Sequence, residues 1–281
     1  MLSVPVNEWG WNVSNYSATA FTLAAFGTAV TPATNSKGSY ATLLSNTADD
    51  SFGIYVCVGA CGTTATAYGG LLDIAVDPAN GTSWTLLIPD MAFCGSSIVL
   101  GGAWWWFPLF IPKGSAVGAR ASASTGVAVI RVGAQLVGQP TRPDLVRSGS
   151  FVETFNAAAA TSFGTTAVVQ GATGAWGSYT ASLGTTANTL WYWTCGLTMN
   201  DSVFTKYISH RLEVWGGASN ADKQLIEHSS WTATDAEQLA NGAAEEAHYR
   251  VLPGGSGIYV RAMSTGAAES NVYAIVHGVG G

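Results

Sequence analysis

The sequence predicts an all-β chain built as two tandem copies of an antiparallel, jelly-roll-like β-sandwich. Three observations carry this. Short runs such as LLDIAV (71–76), SWTLLI (83–88), FPLFI (107–111) and VAVIRVGAQLV (127–137) are branched, aromatic or alternating, and Gly, Pro, Asn or Asp separates them. Their density, seven or eight in roughly 125 residues, is that of a sandwich or jelly roll. Finally, the order of the runs repeats.

The repeat is weak at any one place and consistent over the whole chain. GSYATLLSNTA (38–48) answers GSYTASLGTTA (177–187), YVC (55–57) answers WTC (193–195), and LDI (72–74) answers LEV (212–214). IPKGSAVGARA (111–121) answers LPGGSGIYVRA (252–262), and STG recurs at 124 and 264. The offset stays near 140 throughout. This divides the chain into an N-terminal arm (1–15), a first repeat (16–138), a linker (139–150) rich in Pro, Gly and charge, and a second repeat (151–281). In the first repeat DPANG (77–81) reads as a turn, since Pro78 fixes φ and Asn80-Gly81 tolerates positive φ. One segment reads differently: TATDAEQLANGA (232–243) is expected to form a short helix, with Asp235 as its cap and Gly242 as its stop.

Composition narrows the function. Hydrophobic residues make up 48% and charged residues 10%, with 31 aromatic residues, so the chain can bury a large core and is not disordered. Net charge is −6 and the 11 basic residues are scattered, which argues against nucleic acid as a partner. No apolar run is long enough for a bilayer-spanning helix, and no membrane insertion is expected. The N-terminus lacks an export signal, and Cys57, Cys61, Cys94 and Cys195 are expected to be free thiols in a chain made in a reducing cytosol.

The segment GGAWWWFPLFIPKGS (101–115) is the most unusual in the chain. Laid ungapped on GAAEEAHYRVLPGGS (242–256), it sets Trp104 and Trp105 opposite Glu245 and Glu246, and Trp106 opposite Ala247. A fold that accepts two carboxylates there keeps those positions at its surface, because burying an unpaired carboxylate is costly. Trp104, Trp105 and Phe107, with Trp9 and Trp11 of the arm, are therefore expected to form an interface, and Trp106 is expected in the core. The arm is expected to order on docking.

Catalytic, cofactor and metal signatures are not readable. His210, His228, His248 and His277 show no ligand spacing, and Cys57, Cys61 and Cys94 lack a fourth zinc ligand. The adjacent acids Asp49-Asp50 and Glu245-Glu246 would point to opposite faces of a strand, unsuited to acid–base pairing. The charged residues common to both repeats are an acid and an arginine, Asp73 with Arg120 and Glu213 with Arg261. Each is expected to form a structural ion pair within its own repeat.

The run LLDIAVDPANGTSWTLLIPDMAF, followed by FPLFIPKGSAVGARASAS, resembles a group of tailed-bacteriophage virion proteins. In these an LLDIG-like strand, a LIPNL-like segment and a PLYIPAGSRVAARVQS-like strand occur in the same order. The resemblance covers Leu71 to Ser124, echoes in Leu212 to Thr265, and departs at Asp77–Asn80 and at the tryptophans. It implies a jelly-roll-like structural component of the head, neck or tail, with no catalytic residues. The expectation is a non-enzymatic, cofactor-free virion protein, assembled in the host cytoplasm, that forms a homo-oligomer and docks on other virion proteins. Residues 1–138 carry 4 basic and 6 acidic side chains and residues 151–281 carry 5 and 10, so the second repeat would face solvent or a different partner. The alternative is a receptor- or carbohydrate-binding module whose exposed tryptophans stack on a host-surface glycan.

Overall fold

The structure is a computed structural model, and it describes residues 9–14, 27–61, 68–80, 83–95, 103–124, 129–140, 147–180, 182–199, 209–219, 221–235, 238–241, 249–266 and 272–281. The described residues form strands and turns and no helix. The first half holds β1 (Trp9–Ser14), β2 (Thr28–Val30), β3 (Ala33–Thr34), β4 (Ala41–Leu44), β5 (Gly53–Cys61), β6 (Tyr68–Asp77), β7 (Thr85–Gly95), β8 (Ala103–Phe107), β9 (Ala116–Ala123) and β10 (Ile130–Pro140). The second holds β11 (Phe151–Phe155), β12 (Ala157–Ala158), β13 (Phe163–Gly164), β14 (Leu190–Met199), β15 (Ser209–Gly217), β16 (Lys223–Asp235), β17 (Gln238–Asn241), β18 (Tyr249–Leu252), β19 (Gly257–Ser264) and β20 (Val272–Gly280).

Each half is a sandwich of two mainly antiparallel sheets with the same strand order. The first sheet runs β1-β10-β5-β8 in one half and β11-β20-β14-β18 in the other. The second contains β9-β6-β7 and correspondingly β19-β15-β16, with β17 added beyond β16. Alternation fills the space between sheets: Ile54, Val56, Ile74, Ile88, Val132 and Leu136 are fully buried in one core, and Val214, Ile226, Val260 and Val276 in the other.

The PKGS and PGGS segments show why the repeat is visible in sequence. Thr47 Oγ1 donates to Pro112 O at 2.9 Å and accepts from the Ser115 amide at 3.0 Å; Thr186 does the same with Pro253 at 2.8 Å and Ser256 at 3.0 Å. The intervening Gly114 and Gly255 sit at φ of +82° and +89°, which favours glycine over any L side chain. Asp77 receives the amides of Ala79 and Ser83, and Asn80 takes φ of +51°, so Asp77 to Asn80 turn as their residues suggest; Gly81 lies outside the described residues.

Two local expectations are corrected. Residues 9–14, taken as an arm, form β1 and pair with β10 as β11 pairs with β20. Their partners are some 125 residues away in sequence, beyond what local patterning can signal. The helix expected over 232–243 is instead a hairpin: β16 runs through Asp235 and β17 turns back to pair Trp231 with Asn241. Antiparallel pairing of Thr232, Ala233 and Asp235 with Gln238 to Ala240 overrides the capping signal of Asp235.

The second sandwich packs the outer face of its first sheet against the β7–β8 edge of the first sandwich. Thr154 Oγ1 donates to Pro89 O at 2.9 Å, Thr198 Oγ1 donates to Phe93 O at 3.3 Å, and Ile275 packs on Leu71 and Ala92. The linker seals one end, with Gly149 bonding Pro108 and Phe110 through their backbones.

Candidate docking surface at the tryptophan segment

Strand β8 is placed by β5. Trp105 pairs with Val56 and Phe107 with Ile54, whereas Trp106 pairs with Tyr55 and Trp104 with Cys57. Directly paired residues share a face, so Trp105 and Phe107 turn inward with Val56 and Ile54. Their relative exposures are 2% and 0%. Trp106 lies on the other face, half-buried, 4.5 Å from the Tyr55 ring. A Cβ on Gly53 would fall 1.8 Å from Trp106 Cη2, so that glycine makes room for the indole.

The structure thus reverses the expectation for Trp105 and Phe107. Both are core, and Trp106 is partly buried and packs against that core. What covers Trp105 is the second repeat: Gly196 on β14 lies against it, a Cβ there being 3.3 Å from Trp105 Nε1. Glu245, Glu246 and the side chains of Trp104, Trp9 and Trp11 lie outside the described residues.

Large apolar side chains are nevertheless exposed in both repeats. Tyr249 is 64% exposed, Val251 57% and Phe110 42%. Tyr249 stacks nearly parallel on buried Trp191 (5.9 Å, 8°), and Arg147 of the linker lies over the Trp191 ring at 4.4 Å. Tyr192 meets Tyr249 edge-on at 5.5 Å, and Phe52 packs on Phe110 at 5.7 Å. Burial raises the Tyr249 phenol above its ordinary value, and the nearby Tyr55 of the first repeat adds to the shift. Stacking on Trp191 restricts the Tyr249 ring, which lowers the entropy lost on binding. Sequence reasoning missed Tyr249, Tyr55 and Phe110. Tyr249 occurs within the second copy of the tryptophan segment, but no pattern joins it to Tyr55 before the seam is formed.

The two shared acid–arginine pairs lie across neighbouring strands. Arg120 Nε is 2.9 Å from Asp73 Oδ2, and Arg261 Nε is 2.6 Å from Glu213 Oε2. Each guanidinium also sits 4.7 Å from a tyrosine ring centroid, Tyr40 in the first repeat and Tyr179 in the second. The repeated GSY triplet carries these tyrosines. In the first repeat Lys37 adds contacts to Asp73 at 2.7 Å and Asp90 at 2.8 Å; the corresponding Trp176 instead covers Arg261 at 4.9 Å. The shared charges brace a sheet and are occupied in doing so.

Among the buried titratable groups of the second sandwich, Glu227 and His277 have no titratable counterpart in the first. Glu227 pairs with Val214 where Ile88 pairs with Ile74, so a carboxyl replaces a core isoleucine. It is 3% exposed, and burial pushes its pKa up to about 7 against the pull of hydrogen bonds from Cys195. Its Oε2 has no partner. His277 is fully buried and pushed down to about 3, again by desolvation. Cys57 and Cys195 are buried thiols outside any disulfide.

No protein-family model matches the chain, and no curated protein matches it. Among solved structures it is similar to the tandem CBM22-1–CBM22-2 domains of Xyn10C from Paenibacillus barcinonensis. There the identity is 9%, 96% of this chain and 93% of the other are covered, and the TM-score is 0.26. It is also similar to the PBSX exported protein XepA, at 14% identity, 95% and 88% coverage and a TM-score of 0.26. Likenesses this loose carry no argument about what the chain does.

Proposed function

We propose that this chain is a non-enzymatic structural protein of a tailed-phage virion, one that forms a homo-oligomer and docks on other virion proteins. The observation that carries the reading is the exposure of Tyr249, Val251 and Phe110, with Tyr249 stacked on Trp191 and close to Tyr55 of the first repeat. Exposed apolar area of this kind, with rings held in place, normally marks a contact with another protein. The retained elements support the same reading, since the Thr–Pro–Ser clasp and the acid–arginine–tyrosine stack hold scaffold. Quantitative mass spectrometry of purified particles tests it: the chain should be present in a fixed ratio to the major head protein. Recovery only in the soluble fraction of the lysate would contradict it.

A second reading is favoured by the Tyr249 stack. An aromatic ring held flat on Trp191, with Arg250 beside it, suits a pyranose face, and the partner would then be a host-surface glycan. Quenching or enhancement of tryptophan fluorescence by a sugar, abolished by Tyr249→Ala, would support this reading over the first.

A further inference from the structure

The seam between the two sandwiches is held together by neutral groups, and one of them is a histidine. His277 stands on β20, on the sheet face that meets the first repeat. Its Nδ1 is 3.0 Å from Thr154 Oγ1, which itself donates to Pro89 O of β7 at 2.9 Å. With the threonine proton committed to that carbonyl, Nδ1–H is the donor to the threonine oxygen, and Nε2 carries the lone pair. Nε2 is buried and accepts no hydrogen bond from the protein. The ring edge faces Phe107 at 5.7 Å and 75°. Two other buried polar atoms without protein partners lie along the same seam, Trp105 Nε1 and Trp191 Nε1.

Among the described residues, no charge faces the ring from the strands packed around it. On β11, Glu153 is turned away, accepting the Ala187 and Asn188 amides at 2.8 Å. On β7, Asp90 is engaged by Lys37 at 2.8 Å. On β14 the register partner is Thr194, and β8 contributes Phe107. A proton added at Nε2 would therefore be a buried charge with no counterion, and the simplest relief is to bring it to water.

We propose that the seam is an acid-released latch: protonation of His277 at Nε2 frees the second sandwich from the β7–β8 edge of the first, with each sandwich still folded. The inference is independent of the virion reading and concerns only how the repeats are coupled. An imidazole in water titrates near about 6.5, and docked it is held neutral down to about 3. The docking equilibrium should then weaken about twenty-five-fold between pH 7 and pH 5.

Thr198→Cys provides the reporter, since Thr198 is fully buried and reaches Phe93 O across the seam. Labelling by an aromatic disulfide probe that reacts in acid is followed in the full chain, subtracting the parent chain and normalising to the same thiol in denaturant. With His277 present, the labelling rate should rise about twenty-five-fold from pH 7 to pH 5 while the far-UV circular dichroism is unchanged. With His277→Asn the rate should be flat. An equal rise in the His277→Asn chain, no rise with His277, or loss of the β signal over the same range would overturn the latch. Should His277→Asn and His277→Gln both fail to fold, NMR titration of the wild-type imidazole decides. A folded-state titration near pH 6.5 would overturn the proposal, and a neutral ring throughout the range in which the seam is closed would support it.

Discussion

Replacing Glu227 by Gln removes one ionisation from the core of the second sandwich, and its effect on stability can be worked out with sign and size. The unfolded carboxyl titrates at 4.5 and the folded one at about 7. Below pH 4.5 both states hold the proton and pH has no effect through this group. Between 4.5 and 7 the folded chain keeps a proton that the unfolded chain has released, so stability falls as pH rises. Above 7 the loss is complete, at about 3 kcal/mol for a shift of this size. Glutamine keeps the volume, leaves an oxygen for Cys195, and cannot ionise. Urea denaturation at a series of pH values should show Glu227→Gln gaining on the wild type from pH 4.5 to pH 8 by about 3 kcal/mol. Only this change with pH is diagnostic, because any packing cost of the amide is constant. His277 works in the opposite direction: its folded pKa is depressed, so its contribution is present above 6.5 and lost as pH falls. In the wild type the two slopes offset each other between 4.5 and 6.5, and Glu227→Gln should expose a stability that climbs with pH. A pH-independent difference between the two chains would refute the buried-carboxyl reasoning.

Other substitutions test the scaffold. Thr47→Val and Thr186→Val each leave a Ser amide without its hydroxyl acceptor while the Pro carbonyl keeps the Ser hydroxyl, and denaturant unfolding should show similar losses of about 1 kcal/mol for both. Gly53→Ala should push the Trp106 ring off its seat and change the near-UV circular dichroism of the tyrosine–tryptophan region. Trp105→Glu, harmless were the residue exposed, places a carboxylate in the seam and should lower the melting temperature sharply; an unchanged melt would contradict its burial.

The parts of the fold legible in the sequence are those whose residues have backbone work to do. Thr47, Pro112, Gly114 and Ser115 recur as Thr186, Pro253, Gly255 and Ser256 because a positive-φ turn and its clasp need those types at that spacing. The pairing of Asp73 with Arg120 and Glu213 with Arg261 recurs because opposite charges sit in register on adjacent strands. What was illegible is non-local. Three consecutive tryptophans give no alternation from which to read their phase, and only pairing with Ile54 and Val56 turns Trp105 inward. The cover over Trp105 comes from Gly196, in another repeat. Strand β1 looks like an arm because its hydrogen bonds lie at the far end of the first repeat. Glu227 looks like any surface glutamate until the register sets it where Ile88 stands in the first sandwich.

The most direct test of the account is the solution mass of the full chain by light scattering, for the wild type and for Tyr249→Glu combined with Phe110→Glu. Both positions are exposed, so the sandwiches should survive the change, and circular dichroism checks that they do. The account predicts a closed oligomer for the wild type and a folded species of 29.0 kDa for the variant. A wild type that is monomeric at high concentration, or an oligomer untouched by the double substitution, would contradict the claim that these exposed side chains are where the subunit assembles.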